Sequence, residues 1–224
     1  MTKPIFNITP FTLLDYPNKS ACILWYAGCN MQCLYCYNPE IVFGKGKFPF
    51  SNIVSFLETR KGLLDAVVFS GGECLLHKDI ANQIRTIKNM GFLVKVDTNG
   101  SRPDVLKYLL DQQLVDYVSL DFKATKNSFS YITQSDLFDQ FEKSLHHLLD
   151  ATIAFEVRTT YHSKLLAKEE INEMIDYLKY NEYTGIYYIQ HFINNVKTIA
   201  ELPNSKKSLE KELFSDARLK LAFR

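Results

Sequence analysis

Residues 20–36 read SACILWYAGCNMQCLYC. The first part, an apolar run from Ala21 to Tyr26, is short and carries no turn residue, which reads as a buried strand rather than a helix. The second part places Cys29, Cys33 and Cys36 within eight residues. With five cysteines in 224 residues, a chance C-x3-C-x2-C is expected about 0.002 times in such a chain, so the cluster carries chemistry. Clustered soft thiolates suit zinc or iron–sulfur. Structural zinc wants four ligands, as two separated pairs, and no second Cys/His pair follows at that spacing. Three thiols on one loop can hold three irons of a [4Fe–4S] cluster and leave the fourth iron open to substrate. A zinc site completed by Cys74 or His77, and a purely electron-carrying cluster, remain the alternatives. Cys22, inside the apolar run, reads as a small buried hydrophobe.

Outward from this stretch, short apolar runs alternate with helical patterns, which predicts βα units and a parallel sheet. Strands are expected at 20–27, 65–70, 92–96, 117–120, 152–160 and 185–192. Helices are expected at 51–61 with Ser51 as N-cap, at 78–90 stopped by Gly91, at 103–113 with Pro103 in the first turn, and at 137–149 and 168–179. The tail from Asn194 reads as polar, then weakly helical over 208–221. The whole reads as one domain over 1–224, with a core at about 11–192 and a C-terminal extension at 193–224.

Composition supports that reading. Hydrophobic residues are 46% and charged residues 23% of 224, ordinary for a globular domain. Lys+Arg is 26 and Asp+Glu 25, a net charge of +1, which gives no charge-based case for nucleic acid or an anionic membrane. No stretch approaches the ~18 apolar residues of a membrane span, and residues 1–7 carry no apolar signal core. The expected compartment is the cytoplasm, where cysteines serve as thiols or metal ligands.

The polar clusters follow the C-terminal ends of the expected strands, the end at which βα loops converge on a site. Gly71 and Gly72 permit close approach of a ligand to the main chain, and Glu73 adds a carboxylate suited to an ammonium group. Asp97, Thr98, Asn99 and Gly100 offer small hydrogen-bonding groups or a plain turn. Asp121 and Lys123 point to one side and suit a ribose or a carboxylate, or simply one another. Arg158 lies within a strand, where an arginine suits an anionic ligand or a partner such as Glu73 or Asp121. Tyr35, between two thiols, can pack on a planar ring.

These residues resemble a known family. The cysteine motif after one strand, then Gly71-Gly72-Glu73 after the next, resembles the radical S-adenosylmethionine (SAM) superfamily, and within it the glycyl-radical-enzyme activases. Residues 14–17 (LDYP), 27–30 (AGCN), 37–40 (YNPE), 97–100 (DTNG), 119–124 (SLDFKA) and 158–160 (RTT) look like those of anaerobic ribonucleotide reductase activating proteins. A relation to pyruvate formate-lyase activating enzyme is also visible. The likeness covers about residues 11–192.

The resemblance implies an α/β fold, a partial (β/α)6 TIM-type barrel of parallel strands. It implies that Cys29, Cys33 and Cys36 bind three irons of a [4Fe–4S] cluster, with SAM chelating the fourth. Tyr35 is then expected beside the adenine, and Gly71, Gly72 and Glu73 around the methionine amino group. Asp121 and Lys123 fall where the activases contact SAM, with Asn99, Arg158, Gln190 and His191 as further contacts. The implied activity is reductive cleavage of SAM to a 5′-deoxyadenosyl radical that takes a hydrogen from a glycine. The implied partners are a glycyl radical enzyme (anaerobic ribonucleotide reductase) and a low-potential donor such as flavodoxin or ferredoxin. Alternatives are a small-molecule radical SAM enzyme resembling 7-carboxy-7-deazaguanine synthase, or a metal-stabilised interaction protein. One departure stands out: Cys74 occupies the position where proline commonly follows Gly-Gly-Glu.

Overall fold

A computed structural model describes residues 3–206, 209 and 219–224. Among the described residues, eight strands form one sheet in the order β1 to β8. β1 (Ile5–Thr12) runs antiparallel to β2 (Ala21–Tyr26). From β2 onward all pairings are parallel: β3 (Ala66–Gly71), β4 (Leu93–Thr98), β5 (Tyr117–Asp121), β6 (Ala154–Tyr161), β7 (Ile186–His191) and β8 (Lys220–Phe223). The six expected parallel strands are β2–β7, and a further strand flanks them on each side.

Helices occupy the crossovers. They are α1 (Pro39–Phe43), α2 (Phe50–Glu58), α3 (Ile80–Asn89), α4 (Pro103–Asp111), α5 (Lys126–Thr133), α6 (Phe138–Leu149) and α7 (Lys168–Tyr180). Their apolar faces, among them Ile53, Ile84, Leu106, Phe141 and Ile171, pack with Cys22, Leu24, Val67, Val94 and Val118 on the outer face of the sheet. Cys22 is indeed buried among apolar neighbours. The alternate strand residues face the lumen, where Ala21, Ile23, Ala66 and Val68 close around Tyr16. The period-2 pleat therefore sorts one strand's residues into two environments.

Several details depart from the sequence reading. The N-cap of α2 is Pro49, not Ser51, and Ser51 lies inside the first turn. β1, α1 and α5 were not expected. The helical reading of 208–221 is corrected at its end, where Lys220 and Leu221 belong to β8; residues 208 and 210–218 lie outside the described residues. No helix among the described residues is long and apolar enough to cross a membrane.

Candidate active site

The cysteine loop leaves β2 through Gly28, whose φ of +87° is the left-handed conformation that suits glycine. The loop is then tied down from two sides. Gln32 and Leu34 donate their amides to Thr133 and Ile132 carbonyls at 2.9 Å each, so the otherwise unpaired C-terminal carbonyls of α5 become the loop's anchor. From the other side, Ile199 and Ala200 donate to the carbonyls of Cys36 (3.1 Å) and Leu34 (3.0 Å). Buried Met31 fastens the loop to the core.

Gly71 and Gly72 answer a packing demand. A Cβ on Gly72 would stand 1.9 Å from the Gly28 carbonyl oxygen, and one on Gly71 2.3 Å from the Tyr26 nitrogen. The main chains of the two βα loops touch here, with Glu73 N–H donating to Gly28 O at 2.9 Å.

A cavity of about 440 Å³ opens at the C-terminal ends of the strands. Cys29, Cys33, Cys36 and Tyr35 form one wall; Gly71, Gly72 and Asn99 the next; Asp121, Lys123 and Arg158 the third; Gln190 and His191 the fourth. Every residue that the sequence reading assigns to the cluster or to SAM lines this space except Glu73. Glu73 is fully buried behind the wall. Its carboxylate accepts from Leu75 N (3.0 Å), Thr98 Oγ1 (3.0 Å) and Asn99 N (2.7 Å). Burial pushes its carboxyl up to about 7, against the pull of those donors. It shapes the 97–100 turn rather than facing the cavity, and the Asn99 amide held by that turn reaches Cys29 Sγ at 3.8 Å.

The third wall is a ladder of charges of alternating sign. Lys123 Nζ is 2.9 Å from Asp121, Asp121 is 2.5 Å from Arg158 Nε, and Arg158 is 3.4 Å from Asp97. Asp97 is 3.2 Å from Lys95, whose ammonium also donates to Asp15 O at 2.5 Å and lies 3.9 Å from Glu156. Burial works to raise the Asp121 carboxyl, but the Arg158 and Lys123 cations overcome it and hold it at about 2. Asp97 is held low in the same way by Arg158 and Lys95. The partners of Arg158 are thus Asp121 and Asp97, not Glu73.

Sequence reasoning missed Lys95 and Glu156 as members of this network, read Asp97 only as a turn residue, and missed Trp25 and Arg224 as cavity lining. A signal was present. Lys95 and Asp97, and Glu156 and Arg158, are each two apart in a strand and so share its inner face. Arg224 had no signal, because its place depends on β8 pairing with β7.

The residues fit an iron–sulfur cluster. Burial pushes the Cys29 thiol up to about 12 and the Cys33 thiol up to about 11. Such thiols become thiolates only when a bound metal replaces the proton. Among the described residues no three His, Cys, Asp or Glu side chains converge on one ion; a cubane cluster instead gives each thiol its own iron. Cys74 and His77 are no part of this wall. The buried Cys74 thiol lies 3.6 Å from the Phe69 and Asp97 carbonyls, and His77 Nε2 is 3.0 Å from Ala27 O. A second feature points to a ligand: the Tyr35 hydroxyl is buried beside the cavity and has no hydrogen-bonding partner among the described residues. Such a group costs about 1–3 kcal/mol unless something meets it.

The family model described as Radical SAM superfamily matches residues 23–180. The chain belongs to the radical SAM superfamily. It is a radical SAM enzyme, and membership implies a [4Fe–4S] cluster and SAM. A protein of Methanocaldococcus jannaschii with the provisional name glycyl-radical enzyme activating enzyme is 30% identical over 198 residues, 84% of this chain and 79% of that one. Among solved structures, Streptococcus suis SuiB superposes with a TM-score of 0.71 at 15% identity, over 88% of this chain and 47% of that one. A domain of pyruvate-formate lyase-activating enzyme from Bacteroides vulgatus gives 0.56 at 15% identity, over 71% and 98%. These likenesses show the shared fold. This radical SAM chain spans about half the length of SuiB.

Proposed function

We propose that the protein is a glycyl-radical-enzyme activase whose partner is an anaerobic ribonucleotide reductase. The observation that carries this reading is the 30% identity, over 84% of the chain, to the Methanocaldococcus jannaschii protein with the activating-enzyme name. The motifs at 14–17 and 119–124 favour a reductase as the partner.

In this reading Cys29, Cys33 and Cys36 hold the three irons, on a loop that α5 and residues 199–200 keep rigid. When bound, cluster and SAM supply a 5′-deoxyadenosyl radical on receipt of an electron from a donor such as flavodoxin or ferredoxin. The protein's own task is to orient and to exclude water. Gly72 brings bare main chain to the methionine end, and Asn99 presents its amide there. Lys123 offers an ammonium to the methionine carboxylate, and Asp121 accepts from a ribose hydroxyl. Tyr35 would stand beside the adenine, where a bound ligand would give its hydroxyl a partner. Gln190 and His191 close the adenosine end, and Arg158 fixes Asp121 in place. Glu73 acts at one remove, by holding the Thr98–Asn99 main chain.

The test is anaerobic. Reduced protein with SAM should form 5′-deoxyadenosine slowly alone and faster with the reductase, whose target glycine should then show a doublet in electron paramagnetic resonance. Alanine in place of that glycine should abolish the doublet. Turnover of a small pterin-like substrate, with no radical on any reductase, would overturn the reading.

A further inference from the structure

We infer that the glycine-bearing segment of the partner enters as an extended polypeptide along a second cleft, between β1 and the start of α1, on the open side of the sheet. The inference rests on the activase reading above.

The cleft measures about 410 Å³. Phe6, Asn7 and Thr9 of β1 form one side, Glu40 of α1 the other, and Lys197 stands across it. It is continuous with the cysteine cavity, because Trp25, Tyr37 and Asn38 line both. Trp25 is the threshold, and its Nε1–H donates to Thr9 Oγ1 at 2.9 Å, which fixes the indole.

Three observations select this route. First, β1 ends the strand order, and beyond the bridge from Ile5 to Phe48 no strand among the described residues pairs with its outer edge. An open edge presents main-chain donors and acceptors that an extended peptide can meet. Second, the way in over the cysteine loop is covered. Residues 193–206 cross it, bonded to Leu34 and Cys36 and pinned at their base by reciprocal bonds of Asn194 and Ser205 (2.9 and 2.7 Å). Third, the chemistry of the cleft suits a polypeptide. The Asn7, Thr9 and Asn38 side chains offer both donors and acceptors to amides. One carboxylate and one ammonium leave it without net charge, which gives no footing to a phosphate chain. A cleft beginning at an edge strand and ending at an indole that also lines the cysteine cavity fits a segment whose reacting residue has no side chain.

The test compares Asn7→Trp, which fills the cleft, and Lys197→Glu, which reverses a charge on its rim, with the parent protein. Both positions are exposed, so the fold tolerates the change. The probe is the purified reductase, titrated while the glycyl radical doublet is followed. Each variant should raise the KM for the reductase by about tenfold. Iron content and partner-free 5′-deoxyadenosine formation should stay within about twofold of the parent, since neither residue touches the cysteine cavity. A parental KM in both variants, with a normal doublet in the parent, overturns the inference and leaves the activase reading intact. No doublet in the parent itself overturns the activase reading and this inference with it.

Discussion

Glu73→Gln tests whether the carboxylate holds the main chain or touches the ligand. The native carboxylate accepts from two backbone amides, Leu75 and Asn99, and from the Thr98 hydroxyl. A glutamine keeps the size but turns one acceptor into an NH2 group, so one buried amide must face another donor. The penalty for one such group is about 1–3 kcal/mol. At roughly 2–4 °C per kcal/mol for a chain of this size, the melting temperature should fall by about 2–12 °C. SAM binding should weaken alongside, because the Asn99 turn shifts. Calorimetry on the anaerobic protein, with SAM titrated into a second sample, reads both. The pH dependence adds an independent arm. The Glu73 carboxyl is raised to about 7 in the folded protein from an ordinary 4.5. The native state therefore takes up a proton that the unfolded chain does not, and gains stability as pH falls through that window. Between pH 8 and 6 the gain is about 1 kcal/mol, and Glu73→Gln should lack it. A variant that loses SAM affinity with an unchanged melting temperature would refute the reasoning, since it would place the carboxylate on the ligand.

Anaerobically purified protein should carry about four irons per chain; Cys29→Ala, Cys33→Ala and Cys36→Ala should each lose most of that iron, and full iron in all three would remove the foundation of the reading. Asp121→Asn leaves Lys123 without its 2.9 Å partner and Arg158 with Asp97 alone, so stability should fall by about 3–5 kcal/mol, seen as an early melt; a parental melt would mean the ladder is not held by that carboxylate. Tyr35→Phe removes a buried hydroxyl without a partner, so the SAM-free protein should be as stable as the parent or more so, by about 1 kcal/mol, while SAM binds more weakly; equal SAM affinity would take the hydroxyl out of the ligand's reach.

The six parallel strands were all legible in sequence: β2 and β3 as near-continuous apolar runs, β4 to β7 as shorter β-rich runs alternating with helices of clear periodicity. What sequence missed depends on contacts between distant segments. β1 contains Asn7 and Pro10, poor strand residues that an edge position tolerates; only pairing with β2 makes it a strand. α5 is built from Lys126, Ser128, Ser130 and Thr133 around two aromatic residues, with little intrinsic helix preference. It is held by burial of Phe129 and Ile132 and by the cysteine loop bonded to its end. β8 needs β7 as its neighbour, and its residues alone continue a helical pattern.

The site was legible for a different reason, and unequally. Motif residues that end strands, such as Cys29 to Cys36 and Asp121, announce themselves because nothing in a sheet requires them there. Residues within strands are judged against the core, and Lys95 or Glu156 then looks like a surface position. The structure inverts that judgement. In a closed βα barrel the lumen is filled by apolar layers, yet here only the lower layer is apolar, with Ile23, Val68 and Tyr16. The layer above it is ionic. Lys95, Lys123 and Arg158 face Asp97, Asp121 and Glu156, and Arg224 adds a fourth cation 3.7 Å from Glu156, so none of these carboxylates is left without a counter-charge. A layer of that kind stays polar at the floor of an open cavity, where an apolar one would expose its top to water. It also couples binding to stability. Replacing a rung such as Asp121 must disturb both, whereas replacing Gln190, which lines the cavity outside the ladder, should disturb binding alone.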